Sequence, residues 1–193
     1  MASYELDSFV PNRNIRIVVA AETLLPASVR LVFLVIDPEQ QIVWPTTQQI
    51  EQSHDNTTQS FEMGYARRDY LWQHTCFELF VGIKNKTAYR EINLSPAQAW
   101  NCYQFEQYRQ PAQMPPVPAQ DIQLLQLQAQ PQKLEAILDL QLFLQTNECQ
   151  WDDLVFGLTS VIKLKNNSEL YFALNHSTAQ QDFHCKRDWT ANL

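Results

Sequence analysis

The stretch KLEAILDLQLFL, residues 133–144, carries an apolar residue at every second position. Lysine, glutamate, aspartate and glutamine alternate with the apolar residues, which are Leu134, Ala136, Leu138, Leu140, Leu142 and Leu144. A repeat of two is typical of a β-strand with one buried face, whereas an amphipathic helix repeats its apolar residues every three or four positions. The pattern therefore predicts a strand over the whole stretch.

Similar patterns recur along the chain. They predict further strands in NIRIVVAAETL (14–24), SVRLVFLVI (28–36), CFELFVG (76–82), AYREINL (88–94), WNCYQFEQY (100–108), LVFGLTSVIKL (154–164) and ELYFALNH (169–176). The last two are joined by a KNNS turn, in which asparagine tolerates a positive φ. Roughly eight to ten strands, without any alternation of strands and helices, predict an all-β fold, an antiparallel β-sandwich of jelly-roll or immunoglobulin-like type.

Two irregular segments interrupt this pattern. Residues 44–60, WPTTQQIEQSHDNTTQS, are polar and predict a long loop, and residues 109–120, RQPAQMPPVPAQ, contain four prolines and cannot form a central strand. Neither segment divides the chain into halves that each hold enough strands for a sandwich. We therefore expect residues 1–193 to form a single domain, which is long enough to bury a core without disulfides or metal.

Composition and charge exclude several classes of partner. The chain has 14 basic and 21 acidic residues, a formal net charge of -7, and no basic stripe. We therefore expect no nucleic acid and no membrane among its partners. The first residues lack the pattern of a secretory signal, and the longest apolar run, residues 31–36, is too short to span a membrane. We accordingly expect a cytoplasmic protein with reduced, scattered cysteines.

The segment LWQHTCFELFVG, residues 71–82, sets a carboxylate in the middle of an apolar strand. In strand geometry Phe77, Leu79 and Val81 share the face that resembles a sandwich core. The opposite face carries an indole, an imidazole, a thiol and a carboxylate, contributed by Trp72, His74, Cys76 and Glu78. An aromatic platform beside a carboxylate suits sugar recognition, since the ring stacks on a pyranose and the carboxylate accepts from its hydroxyls.

A purely structural role for the same residues is the alternative. Glu78 could form an ion pair with Arg90 on a neighbouring strand, and Trp72 could cover the sheet edge. Arg90 shares a face with Ile92, so that Glu91 and its neighbours of equal parity lie on the other face. Which of these residues complete a polar site depends on the strand register.

The segment YFALNHSTAQQDFH, residues 171–184, adds late polar residues. Asn175 and His176 stand at a strand end, and Asp182 and His184 follow after a short loop. The histidines have no metal-binding spacing, so no metal site is predicted. No G-x-S-x-G motif occurs, and three glycines are too few for a phosphate-binding loop, so no catalytic residue is predicted either.

Several of these blocks together resemble a known family. The spacing W-x5-E in LWQHTCFELFVG, then YREINLSP, W-x2-Y-x-F-x2-Y, and a late ALNH leading into DFH resemble the DOMON-like proteins. These are relatives of the family-9 carbohydrate-binding modules attached to bacterial polysaccharide-degrading enzymes. The resemblance covers residues 71–109 and 156–184.

The resemblance implies a β-sandwich whose concave sheet binds a sugar or, in other branches, a haem. Its sugar-binding members use residues that match Trp72, Glu78, Arg90 and Asn175. They clamp the sugar with a second tryptophan, where this chain has Thr178, and Trp189 is the late alternative. The haem branch uses a methionine and a histidine as axial ligands. Candidates for these ligands are Met63, Met114, His74, His176 and His184.

Together, these observations predict a non-catalytic domain that binds a carbohydrate or a polyhydroxylated metabolite. Trp72 would be the stacking platform. Glu78, Arg90 and Asn175 would form hydrogen bonds, and His176 and His184 would lie at the rim. The alternatives are a haem- or metal-binding domain and a protein–protein interaction module. An enzyme would be indicated by a strongly perturbed pKa of Glu78 or of a histidine inside a deep pocket.

Overall fold

A computed structural model describes residues 1–52, 61–62 and 64–193 of the chain. The described residues form twelve strands: β1 Ala2–Ser8, β2 Arg16–Leu24, β3 Ser28–Ile36, β4 Phe61–Glu62, β5 Tyr65–Arg67, β6 Cys76–Ile83, β7 Tyr89–Ser95, β8 Ala99–Phe105, β9 Gln123–Gln130, β10 Lys133–Asp139, β11 Leu154–Lys163 and β12 Glu169–Ala173. Two α-helices are present in this part of the chain, α1 Thr47–Gln52 and α2 Gln141–Asn147. Short 3-10 helices occupy Leu71–Gln73, Trp151–Asp153 and Lys186–Asp188. None of the described helices is long and apolar enough to span a bilayer.

The strands form two sheets that share β1. The first half of β1 pairs with β2, and its end, at Asp7 and Ser8, pairs with β12. Sheet 1 has the order β1-β2-β3-β10-β9, and sheet 2 has the order β4-β5-β8-β7-β6-β11-β12. Every pairing between these strands is antiparallel except that of β5 with β8, which is parallel. The all-β class is therefore confirmed.

One hydrophobic core lies between the two sheets. Sheet 1 contributes residues of one parity, including Val19, Leu31 and Phe33, and sheet 2 contributes Phe77 and Leu79, all of them buried. The rings of Phe33 and Phe77 meet across the sandwich with centroids 4.9 Å apart. The predicted core face of residues 76–82 is thus the face that packs against sheet 1.

The sequence underestimates the number of strands. The patterns predict roughly eight to ten, and the structure adds β1, β4, β5 and β9. Of these, β1 and β9 carry few buried apolar residues. Strands β4 and β9 lie at the two ends of the strand order, where only one edge is paired. Such strands need less apolar surface than central ones, so hydrophobic periodicity detects them poorly.

The structure corrects a second prediction, that of a strand over the whole of residues 133–144. Strand β10 ends at Asp139, and residues 141–147 form helix α2. The Asp139 carboxylate accepts from the backbone N–H of Gln141 at 2.8 Å, where the chain turns from strand to helix. Leu140 and Phe143, three residues apart, are buried, whereas Leu142 is 46% exposed. The end of this stretch is therefore helical, because a helix buries Leu140 and Phe143 together.

The two irregular segments behave differently. Residues 47–52 of the predicted long loop form α1, and residues 53–60 lie outside the described residues. The proline-rich segment 109–120 forms no strand, as predicted, and touches sheet 2 through an isolated bridge between Tyr103 and Pro118. Several turns use non-glycine residues with a positive φ, among them Gln98, Gln132 and, in the KNNS turn, Asn167.

The outer face of sheet 2 is covered by the end of the chain. Trp189 is 5% exposed and stacks on Phe80, with ring centroids 5.3 Å apart. It lies directly over Gly157, where an added Cβ would be 2.4 Å from its Cδ1 atom. Its indole N–H donates to the backbone carbonyl of Phe183 at 2.8 Å. The Trp189 ring can therefore pack directly on the sheet because residue 157 is a glycine.

We expect Gly157→Ala to lower the free energy of unfolding by about 1–3 kcal/mol, because the new methyl group overlaps Trp189. Urea denaturation would measure the change. Gly82→Ala is the comparator, since its nearest atoms lie 3.0 Å away and include the flexible end of Lys186. Gly82→Ala should lower the free energy of unfolding less than Gly157→Ala does. Equal stability of wild type and Gly157→Ala would contradict the packing of Trp189 on this strand.

A buried carboxyl pair in an aromatic cavity

A cavity of about 470 Å³ lies on the outer face of sheet 2. Its floor consists of side chains from β6, β7, β8, β11 and β12, among them Glu78, Phe80, Glu91, Phe105, Val161 and Tyr171. One wall is the proline-rich segment, which includes Met114, and another is the C-terminal segment, which contributes Phe183 and His184. The proline-rich segment, which the sequence marked only as a non-strand, thus forms part of the candidate site.

Strand register brings two glutamates to this floor. Glu78 of β6 pairs with Asn93 of β7, and Phe80 pairs with Glu91. The two carboxyl groups are therefore diagonal neighbours on one face of adjacent strands. Glu78 is 3% exposed and Glu91 is 6% exposed.

Each carboxyl group has one neutral hydrogen-bond donor among the described residues. The Thr159 hydroxyl donates to Glu78 Oε2 at 2.8 Å, and the Asn93 amide donates to Glu91 Oε1 at 2.8 Å. Burial raises the pKa of Glu78 to about 8, and the charge of Glu91 adds to this increase. Burial likewise raises the pKa of Glu91 to about 7. The pair therefore holds protons near neutral pH, unlike an exposed carboxylate.

His184 lies beside this pair in an aromatic cluster. Its ring is 5.2–5.3 Å, centroid to centroid, from those of Phe80 and Phe105. Its Nδ1 atom is 2.7 Å from the Tyr89 hydroxyl, and its Nε2 atom is 3.6 Å from Glu91 Oε2. Burial lowers the pKa of His184 to about 3, so the ring is neutral at physiological pH.

The hydrogen bonds around Tyr89 orient His184. The Arg109 backbone N–H donates to the Tyr89 oxygen at 3.1 Å, which leaves the phenolic proton available for His184 Nδ1. With Nδ1 as the acceptor, the imidazole proton is on Nε2, directed toward Glu91. Burial raises the pKa of Tyr89, so the phenol keeps its proton.

Asp182 ties the two walls of the cavity together. Its carboxylate accepts from the Tyr108 hydroxyl and from the Arg109 guanidinium, each at 3.0 Å, and from the backbone N–H of His184 at 3.1 Å. Arg109 begins the proline-rich wall directly after Tyr108, and His184 belongs to the C-terminal wall. Asp182 therefore caps a turn and also fixes the position of Arg109, which lines the cavity.

Trp72 lines the cavity from a 3-10 helix rather than from β6. Its half-buried ring meets Tyr103 edge to face, with centroids 5.7 Å apart and an interplanar angle of 76°. Tyr103 is held in turn by its hydroxyl, which donates to Asp69 at 2.8 Å. The indole therefore packs against a fixed ring and adjoins the cavity.

The structure brings Trp72, Glu78 and His184 to the cavity but places three other predicted site residues elsewhere. Arg90 forms a bidentate ion pair with Asp121, at 2.7–2.9 Å for the two closest contacts, on the opposite face of β7. Asn175 donates to Thr190 Oγ1 at 2.8 Å, and His176 Nε2 lies 2.9 Å from the carbonyl oxygen of Asp7. Neither of these two residues lines the cavity.

Two related alternatives are not realised in the contacts of the described residues. Glu78 and Arg90 do not form an ion pair, because their side chains lie on opposite faces of sheet 2. Trp189 does not complete a tryptophan clamp, since it is buried under the C-terminal segment and is absent from the cavity lining. Thr178 donates to the carbonyl oxygen of Gln180.

Sequence reasoning missed several cavity residues. The sequence identifies Arg109 and the residues after it only as an irregular proline-rich stretch, and Glu91 is one of several candidates that depend on strand register. Its parity, opposite to that of Ile92, indicates its face, and the pairing of β6 with β7 places that face beside Glu78. No such signal marks the proline-rich segment, because a loop has no register.

The cavity, as the described residues form it, does not suit a haem. Met63 lies outside the described residues. Met114 and His184 both line the cavity, but Nδ1 of His184 contacts Tyr89 and Nε2 faces Glu91, so neither nitrogen is open to an axial bond. Among the residues that the structure describes, no group of three or more histidine, cysteine or acidic side chains could hold a metal ion.

Comparisons with known proteins show the fold alone. No family profile matches the sequence, and no curated protein matches it either. A solved structure from Bacteroides uniformis, provisionally named a carbohydrate-binding protein, superposes with a TM-score of 0.53 at 14% identity. The match covers 97% of this chain and 84% of that one. The two chains therefore share an all-β architecture.

We expect the stability of the protein to fall as the pH rises from about 6.5 to about 8. Both carboxyl pKa values exceed the ordinary value of 4.5, so in this range the folded chain binds more protons than the unfolded chain. Raising the pH removes those protons from the folded state and should cost about 1–3 kcal/mol. Below about pH 6.5 the neutral His184 has the opposite effect, because only the unfolded chain then gains its proton.

Urea denaturation of wild type and Glu78→Gln at both pH values would test this. Glutamine keeps an acceptor for Thr159 and cannot ionise. The stability of this variant should therefore fall much less than that of wild type between the two pH values. Glu106→Gln, which removes an exposed carboxylate, should show the same fall as wild type. A wild-type stability that rises between these pH values would show that the carboxyl pair is not buried.

Proposed function

We propose that this protein binds a carbohydrate or a similar polyhydroxylated small molecule in the cavity on sheet 2, without changing it chemically. The observation that carries the proposal is the combination of an aromatic wall, which includes Trp72, with two buried carboxyl groups in one cavity of about 470 Å³. Small-ligand sites are typically of this size, apolar with a few convergent polar groups.

The chemistry of the lining suits such a ligand. The indole of Trp72 and the rings of Phe105 and Tyr171 offer flat apolar surfaces for the axial C–H groups of a pyranose. Glu78 and Glu91 can accept hydrogen bonds from hydroxyls, and when protonated they can also donate them. The fold shared with the provisionally named carbohydrate-binding protein adds support.

We also propose that the chain is a single domain of jelly-roll topology and a member of the DOMON-like group. The expected cytoplasmic location suits a soluble sugar or metabolite better than a polysaccharide, and we expect neither nucleic acid nor a membrane as a partner. An interaction module remains the alternative, which a dimer in solution would favour.

We expect Trp72→Ala to weaken sugar binding roughly tenfold or more, because the stacking surface is lost. Calorimetric titration or thermal shift against a panel of soluble monosaccharides would measure it, and Trp72→Phe should recover part of the affinity. Trp44→Ala is the control, since Trp44 is half-buried, packs against Phe77 and lies outside the cavity lining. If Trp72→Ala binds the sugar as tightly as wild type, Trp72 does not stack on the ligand.

A specific observation favours a second candidate, acid–base catalysis on a glycosidic bond. The pKa of Glu78, raised to about 8, and that of His184, lowered to about 3, are the perturbations that would indicate an enzyme. A carboxyl group protonated at pH 7 beside a second one is suited to general acid chemistry.

Assays with p-nitrophenyl glycosides separate the two candidates. If the protein only binds, wild type should release no nitrophenol above the background rate, even where a glycoside stabilises it thermally. Turnover in wild type that disappears in Glu78→Gln and persists in Glu106→Gln would establish the catalytic alternative.

A further inference from the structure

We propose that the ligand of this cavity carries a protonated amino group, which Glu78 and Glu91 receive, so that it is an amino sugar or a similar hydroxylated amine. The inference rests on the proposed function, since it names the chemical class of the molecule that binds in the same cavity.

The carboxyl pair lacks a bonded cation within the described part of the chain. Glu78 accepts from Thr159 and Glu91 accepts from Asn93, both neutral donors, and each carboxylate offers about four acceptor positions. His184 Nε2 is 3.6 Å from Glu91 but belongs to a neutral ring. Two buried carboxyl groups with spare acceptor positions, lining one cavity, form a receptor for a positive charge.

Arg109 does not fill this role. Its guanidinium donates to Asp182 at 3.0 Å, and its side chain is 49% exposed. It lowers the pKa values of Glu78 and Glu91 through space, but burial outweighs it at both sites. Three carboxylates therefore face one guanidinium here, and the floor keeps surplus negative charge when both glutamates are ionised.

The aromatic lining of the cavity also favours a positively charged ligand. Trp72, Phe80, Phe105, Tyr171 and Phe183 surround the carboxyl pair within one cavity. The faces of such rings attract a cation, and the attraction grows when the site excludes water. A neutral sugar would stack on the rings and form hydrogen bonds with the carboxyl groups. An ammonium group would in addition be attracted electrostatically by both the rings and the carboxylates.

Proton release distinguishes these two ligand types. Near pH 7 the pair holds protons, and an ammonium ligand would stabilise the ionised form and expel a proton. The other titratable groups that face the pair do not interfere. The pKa values of Cys76, Tyr89, Tyr103 and Tyr171 are raised by burial, and His184 stays neutral. Arg109 stays charged.

The experiment is calorimetric titration of the full chain at pH 7 with three probes: D-glucose, D-glucosamine and cyclohexylamine. Each titration is repeated in phosphate and in MOPS, whose different ionisation enthalpies reveal proton release and neither of which is a primary amine. We expect glucosamine to bind at least tenfold more tightly than glucose, with release of up to one proton, and glucose to release none. Glu91→Gln and Glu78→Gln should each reduce the preference for glucosamine several-fold, and Glu106→Gln should leave it unchanged.

The outcomes separate the inference from the proposed function. Equal affinity for glucose and glucosamine would overturn the inference and leave sugar binding intact. Binding of none of the probes by folded wild type would overturn both. Cyclohexylamine binding as tightly as glucosamine would support the charged site and contradict the polyhydroxylated ligand. If one glutamine variant fails to fold, the other variant and the proton release in wild type still decide the question.

Discussion

Strand β6 is buried on both faces, and the rest of the structure depends on how that burial is achieved. Sheet 1 covers one face, as in any sandwich, and contacts Phe77, Leu79 and Val81. The other face carries Cys76, Glu78 and Phe80, which are also shielded from solvent. A sheet with polar groups on a covered face needs partners for those groups, because an unsatisfied buried carboxyl group is costly. The two neighbouring strands supply them, since the Thr159 hydroxyl donates to Glu78 and the Asn93 side-chain oxygen accepts from the Cys76 thiol.

The cover over this face is held by a few long-range contacts instead of by regular secondary structure. Asp182 joins the proline-rich segment to the C-terminal segment, and Trp189 fixes the latter on Gly157. The C-terminal end is tied further by Trp151, whose indole N–H donates to the Leu193 carbonyl oxygen at 2.6 Å. The cover therefore leaves a cavity above the carboxyl pair while it closes the aromatic cluster beside it.

What the sequence predicts correctly is what a local repeat determines. The parity of residues 76–82 assigns Glu78 to the face opposite the core, and the parity of residues 89–93 assigns Glu91 to the face opposite Ile92. A repeat within one strand can show this because successive side chains alternate between faces. The fold class follows from the same repeats.

What the sequence misses is decided by contacts between distant segments. The resemblance implies a sugar-binding role for Arg90, but the partner of its guanidinium is Asp121, which no local pattern connects to it. The alternation in residues 133–144 is regular, yet Asp139 and the burial of Phe143 convert its second half into a helix. The walls of the cavity are irregular segments, and irregular segments carry no period from which their position could be inferred.

The placement of glycine in this chain has a consequence for protein engineering. Two of the three glycines lie under the C-terminal segment, at positions 82 and 157, while exposed turn positions such as Gln40 and Glu148 hold a non-glycine residue at a positive φ. A non-glycine residue in the left-handed region carries a steric penalty on the order of 1 kcal/mol, of which glycine recovers a part after its own entropic cost. These two positions, at φ values of 52° and 51°, are therefore a reserve of stability that can be used without touching the cavity. Preparations stabilised in this way would be favourable starting material for crystallising the protein with a bound ligand.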